Sequence, residues 1–266
     1  MKRHSIAFNS YGVKFSIVSN DVDLLASACK TARSAMLGNL IEIDSGTSRH
    51  ELSLELVDGG VHFKMNGQDH GVTPWPKLEH FFDTCVRILV AEFAEGFVFL
   101  HCGVVEWNGK SILFPGDSFT GKTTIVAEFV KRGAVYYSDE YAIVDREGLV
   151  HPFARPLSIR HRTDLSIRFD TPAETLGSTV GAEPIPIDFI FLLNYRKNAH
   201  FRPRSLSLGE GVMQLMPQAI PLRVNPKFTL LLLNKICERA KVFRSNRGNS
   251  KFAVNKIIDL IDKIGL

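Results

Sequence analysis

The chain contains no apolar run approaching the ~20 residues that cross a bilayer, and Met1-Lys2-Arg3-His4-Ser5 leads into a mixed segment without a signal-peptide core. This points to a cytoplasmic protein with no membrane partner. Cysteine is sparse: Cys29, Cys85, Cys102 and Cys237 are scattered without C-x-x-C spacing, which argues against a zinc site or a disulfide framework and for buried thiols in a reducing compartment. There is no internal repeat and no low-complexity segment. Net charge is small, +4, but uneven: Lys227 to Leu266 holds nine Lys or Arg against three acids, so the rest of the chain sums to about −2. This basic stretch reads as solvated helix faces, and nucleic acid is disfavoured as a partner.

What is present is a globular composition, 45% hydrophobic and 23% charged over 266 residues, enough for one large domain or two small ones. Ile6-Phe8, Val13-Phe15-Ile17 and Leu52-Leu54-Leu56 alternate with the period of a half-buried strand. Val22 to Met36 has helical spacing behind a possible N-cap at Asp21, and Gly59-Gly60 divides a hairpin. Residues 1–72 therefore form a small α+β N-terminal module. The boundary is placed at Gly71-Val72-Thr73-Pro74-Trp75-Pro76, where two prolines restrict their neighbours, and residues 73–266 form the second domain.

In the second domain an amphipathic helix is expected from Leu78 to Phe93. Two strands, Phe97–Trp107 and Lys110–Phe114, flank Asn108-Gly109, a type I′ turn dipeptide. Ile187–Leu193 reads as a buried strand, Ser207 and Glu210 as a capping box, and Asn225-Pro226 as a helix start. A last helix follows Asn249-Ser250.

Gly116-Asp117-Ser118-Phe119-Thr120-Gly121-Lys122-Thr123 matches G-x-x-x-x-G-K-[ST], a pattern met by chance in a chain of this length on the order of one time in a hundred. An apolar strand precedes it, and a helix carrying Ile125, Val126, Phe129 and Val130 follows. In such a strand-loop-helix, the amides of Gly116 to Thr124 face phosphate oxygens, Lys122 neutralises them, and the Thr123 hydroxyl reaches Mg²⁺.

The next strand stops at Ser138-Asp139-Glu140. Asp139 is placed to meet Mg²⁺ and Glu140 to accept a proton, although neighbours on an extended strand point to opposite sides unless the chain bends. His101 lies on the strand antiparallel to the one feeding the loop, which makes it an auxiliary candidate. Arg155 and Arg160 are candidates for a substrate anion.

The stretch from Leu100 to Arg160, "LHCGVVEWNGKSILFPGDSFTGKTTIVAEFVKRGAVYYSDEYAIVD…HPFARPLSIR", resembles the catalytic domain of HPr kinase/phosphorylase and the wider HPr-kinase-like family. His101, Gly116-Asp117-Ser118, Gly121-Lys122-Thr123, Arg132-Gly133 and Asp139-Glu140 occupy the family's histidine, loop, "RG" and acid-pair positions. A weaker likeness runs through "LGEGVMQLMPQAI". The family's short relatives, some encoded with ribosomal peptide clusters including lasso peptides, share the short β-rich lead.

The resemblance implies an α/β P-loop fold of the HPr kinase and phosphoenolpyruvate carboxykinase type with a mixed sheet. It also implies ATP and Mg²⁺ as cofactors, and transfer to a serine hydroxyl of a peptide or small protein. The chain departs from the family at Phe119 and Thr120, at Glu140 in place of Asp, and in lacking the downstream glycine-rich signature of phosphorylase activity. A small-molecule kinase and an inactive nucleotide-binding regulatory module remain alternatives. The acceptor, the nucleotide base and the oligomeric state, homo-oligomers included, are left open.

Overall fold

A computed structural model describes residues 3–117, 120–160 and 168–264. The chain is an α/β protein with mixed sheets, divided into two compact units, residues 1–97 and 98–266.

The first unit is one sheet with two helices. Its strands are β1 (His4–Ser10), β2 (Val13–Ser19), β3 (Ile41–Ile43), β4 (His50–Val57), β5 (Gly60–Met65) and β6 (Gln68–Thr73), in the order β3-β1-β2-β4-β5-β6. All the pairings are antiparallel except β2 with β4. The parallel pair requires a crossover, and α1 (Val22–Ala35) supplies it. Asp21 caps α1 as expected, its carboxylate accepting from the Leu24 N–H at 2.8 Å.

The boundary differs from the expected one. β6 runs through Gly71 and Val72 to Thr73, and α2 (Trp75–Phe93) starts at once, with Pro74 as its N-cap and Pro76 in its first turn. Prolines there open a helix whose first N–H groups have no intrahelical partner. Phe82 of α2 packs edge-on against Phe63 of β5, and α2 also packs on α1. The helix thus completes the first unit, and the division falls between Phe97 and Val98.

The second unit is built on β7 (Phe97–Trp107), β8 (Lys110–Pro115), β9 (Val135–Ser138), β10 (Tyr141–Asp145), β11 (Leu149–His151), β14 (Ile185–Pro186), β15 (Phe189–Tyr195), β16 (Arg204–Ser205) and β17 (Lys241–Arg247). The order is β14-β11-β10-β7-β8-β15-β17-β16, with β9 also paired to β7. A separate hairpin joins β12 (Leu157–Arg160) to β13 (Arg168–Thr171). Asn108 and Gly109 turn β7 into β8 with φ of 50° and 74°, the two positive angles of the expected turn. β8, β15 and β17 run parallel.

Helices cover both faces of this sheet. On one, α3 (Lys122–Val130) and α6 (Ser250–Ile264) bury Ile125, Phe129, Val254 and Ile257 against Phe114, Phe191 and Phe243. On the other, α4 (Leu208–Leu215) and α5 (Pro226–Arg239) bury Leu215, Leu232, Leu233 and Ile236 against Leu113, Ile190 and Val242. Alternation along each strand sends neighbouring residues to opposite layers. Ser207 and Glu210 close the expected capping box on α4, and Asn225 caps α5.

All four cysteines are free and buried. Among the described residues no helix is long and apolar enough to cross a membrane.

Candidate functional site

The site forms where β8 ends and the chain turns into α3. Gly116 has φ of 156° and Gly121 φ of 84°, both in the region that favours glycine, so the loop leaves the strand and re-enters a helix within a few residues. The Thr120 hydroxyl donates to the Asp117 carbonyl at 2.7 Å and tightens the turn. Ser118 and Phe119 lie outside the described residues. Thr123 is half-buried in the first turn of α3, and Thr124 is exposed beside it.

Lys122 folds back over the loop. Its ammonium donates to the Gly116 carbonyl and to the Asp117 carbonyl at 3.0 Å, and stands 3.4 Å from His101 Nε2. The hairpin register produces this meeting: Cys102 pairs with Pro115, and the Gly116 N–H donates to the His101 carbonyl at 3.3 Å. Burial first, and then the Lys122 charge, push the His101 pKa down to about 4, so the imidazole is neutral at pH 7. Burial also lowers the Lys122 pKa.

The two acids occupy a bend between β9 and β10. The chain bends there, and Asp139 and Glu140 meet different partners. Asp139 is desolvated, and its pKa is pushed up to about 7, with the Thr123 hydroxyl and the Lys122 ammonium pulling the other way. Its Oδ1 is fully enclosed and has no hydrogen-bond partner among the described residues. Glu140 is anchored by its backbone: its N–H donates to Ser138 Oγ at 3.2 Å, and its carbonyl accepts from the Cys102 N–H at 3.0 Å. Its carboxylate lies 3.6 Å from Arg155 Nε. Arg155 and Glu140 thus form an ion pair beyond hydrogen-bond distance, which makes Arg155 a charge partner for that acid. Arg160 ends β12 opposite Arg168, and its side chain lies outside the described part of the structure.

Gly103 explains how α3 comes so close. A Cβ there would stand 2.5 Å from Val126 Cγ2, so a side chain would press on the helix, and 3.6 Å from Asp139 Oδ1, in ordinary contact with the carboxylate.

Two contributors had not been singled out in the sequence. Arg247, the last residue of β17, is buried and donates to the Gly121 carbonyl at 2.9 Å and the Thr120 carbonyl at 3.4 Å. Its guanidinium so fills the space behind Gly121 that a Cβ there would fall 1.9 Å from Nη2. It also lies over the Tyr195 ring at 5.2 Å. Gln218, buried after α4, donates from Nε2 to Asp117 Oδ1 at 3.1 Å. The basic C-terminal stretch is therefore not all solvated helix face: part of it is β17, and its last arginine buttresses the loop.

Compared with known proteins, the chain matches no family model and no curated sequence. The chemistry of the site accordingly rests on its own side chains. Lys122 supplies a cation held over loop backbone, Asp139 a desolvated carboxylate beside a hydroxyl, and Glu140 a second carboxylate paired with a guanidinium.

The raised pKa of Asp139 has a consequence for stability. A carboxyl protonated more readily in the fold than in the unfolded chain stabilises the fold fully below the ordinary carboxylate pKa of 3.8, and that contribution is lost as pH rises through about 7. Asp139→Asn keeps a neutral group at every pH. Without nucleotide or metal, its melting temperature is expected to match the wild type near pH 4 and exceed it by roughly 5 °C at pH 8. Parallel pH profiles for the two proteins would show that Asp139 ionises normally. Comparison between the two cancels the opposite trend from His101, which weakens the fold as pH falls from 6.5 towards 4.

Proposed function

We propose that the chain is an ATP- and Mg²⁺-dependent phosphotransferase with a P-loop fold, transferring the γ-phosphoryl group to a hydroxyl, that of a serine in a peptide or small protein. The observation that carries this reading is the orphaned, desolvated Asp139 Oδ1, set beside Thr123 and Lys122 at the end of a glycine loop. An enclosed carboxylate oxygen with no partner is costly, and a hard cation is the ligand that suits it. Mg²⁺ usually takes only one or two carboxylates, with phosphate oxygens completing its shell, so Asp139 and Thr123 suffice on the protein side. When bound, the metal neutralises charge on the β- and γ-phosphate oxygens.

The chain's own groups divide the remaining work. The amides at the start of α3 and the Lys122 ammonium hold phosphate oxygens. Arg247 and Gln218 fix the loop from behind, through its carbonyls and through Asp117. Glu140, paired with Arg155, accepts the proton of the attacking hydroxyl. Neutral His101 keeps Lys122 directed over the loop without adding a second cation. The likeness of residues 100–160 to HPr-kinase-like proteins supports the serine acceptor.

The test is paired. Calorimetry with Mg²⁺ and a non-hydrolysable ATP analogue reads binding, and loss of ATP on adding a serine-containing peptide reads transfer. Binding together with acceptor-dependent turnover is expected. Binding without turnover would make the chain a regulatory nucleotide-binding module, and absence of both would remove the reading.

A further inference from the structure

The ends of β15 and β17, together with edge strand β16, form a pocket lined by Arg196, Arg202, Arg204, Arg244, Asn194, Asn246 and Ser245. The register assembles it. Arg204 pairs with Arg244 and Asn194 with Asn246, and paired residues project from the same face of a sheet, so two guanidiniums and two amides form one block. Arg202 is brought alongside by its backbone N–H, which donates to Ser245 Oγ at 2.9 Å. The Arg196 N–H ties the opposite side to the Arg247 carbonyl at 2.9 Å.

Four like charges around one concavity repel each other unless an anion joins them. Arg204 has Glu210 at 2.9 Å. Arg196, Arg202 and Arg244 are exposed and pair with no carboxylate among the described residues.

We propose that this pocket binds an acidic peptide segment, the anionic stretch of the hydroxyl-bearing acceptor; the assignment to the acceptor rests on the phosphotransferase reading above. Arginine forks grip carboxylates in pairs, and two amide side chains give a peptide backbone both donors and acceptors. The lining includes no aromatic ring on which a nucleobase could stack, which favours peptide over nucleic acid. Position also fits. β8, β15 and β17 are parallel, so the pocket, at the C-terminal ends of β15 and β17, lies at the same end of the sheet as the glycine loop. Two strand spacings, about 10 Å, separate β17 from β8, a distance covered by about three extended residues. The acidic stretch is therefore separated from the hydroxyl by at least that many residues.

The test uses the full chain without nucleotide and a fluorescent hexaglutamate-serine peptide, read by anisotropy at low salt. Wild type is expected to bind it, with affinity at least tenfold weaker in Arg202→Gln/Arg244→Gln and in the single variant Arg244→Glu, and unchanged in Lys251→Gln/Lys256→Gln, a control of equal charge loss on α6. Absence of binding by the wild type, or equal losses in the pocket and control variants, would overturn the pocket. Tighter binding of a single-stranded oligonucleotide of equal charge, lost in the same variants, would overturn the peptide assignment. Peptide binding in a wild-type chain that takes no ATP analogue would leave the acidic-peptide pocket standing and strike out its link to phosphotransfer.

Discussion

Lys122→Ala is expected to weaken binding of Mg²⁺ and an ATP analogue by roughly a hundredfold or more, because charge-assisted hydrogen bonds to phosphate are worth roughly 1.5–3 kcal/mol each. The fold should survive, since the ammonium's hydrogen bonds go to the Gly116 and Asp117 carbonyls, it stands beside His101, and Lys122 is a member of neither apolar layer. The same variant carries an internal reporter. With the neighbouring cation gone, the His101 pKa should rise from about 4 towards its ordinary value, though burial, the larger cause, keeps it low. Calorimetry measures the first effect and imidazole titration by NMR the second. A folded variant with unchanged nucleotide affinity would remove the loop from the binding site, and an unmoved His101 would mean that Lys122 points elsewhere in solution.

How much of this was legible in the sequence depended on the range of the interactions involved. Local devices were readable: Asp21 capping α1, Asn108-Gly109 turning β7 into β8, and the Ser207–Glu210 box each depend on residues within a turn of one another. The glycine turn into α3 and the bend at Asp139-Glu140 after β9 lie where the spacing of the sequence put a loop and a strand end.

Features that depend on long-range pairing were not. Lys-Val-Phe-Arg-Ser-Asn-Arg carries only two apolar residues together and gave no strand signal, yet it is held as β17 by parallel pairing to β15. That pairing delivers Arg247 to Gly121 and Arg244 to Arg204. Arg155 was read as a group for a substrate anion, whereas the tertiary fold sets it beside Glu140. The prolines at 74 and 76 were misread because a helix start and a linker use the same residue type; only the packing of α2 on β5 and α1 distinguishes them.

Glu140→Gln should separate transfer from binding. The bend at Asp139-Glu140 sends the two acids to different partners, and the Glu140 backbone is fixed by Ser138 and Cys102, so an amide of the same size leaves the site's shape intact. Its carboxylate meets Arg155, and the phosphate contacts come from Lys122 and the loop amides, so affinity for Mg²⁺ and the ATP analogue should hold. Loss of the proton acceptor should lower phosphate incorporation into a serine peptide by roughly a hundredfold or more, the usual scale of general-base catalysis. Arg155→Gln should reproduce part of that loss, because Glu140 would lose the charge partner that holds its carboxylate. Equal falls in binding and transfer for Glu140→Gln would move Glu140 into the metal shell. Full activity would move the base to Asp139, whose desolvated carboxyl already titrates near neutrality, or to His101.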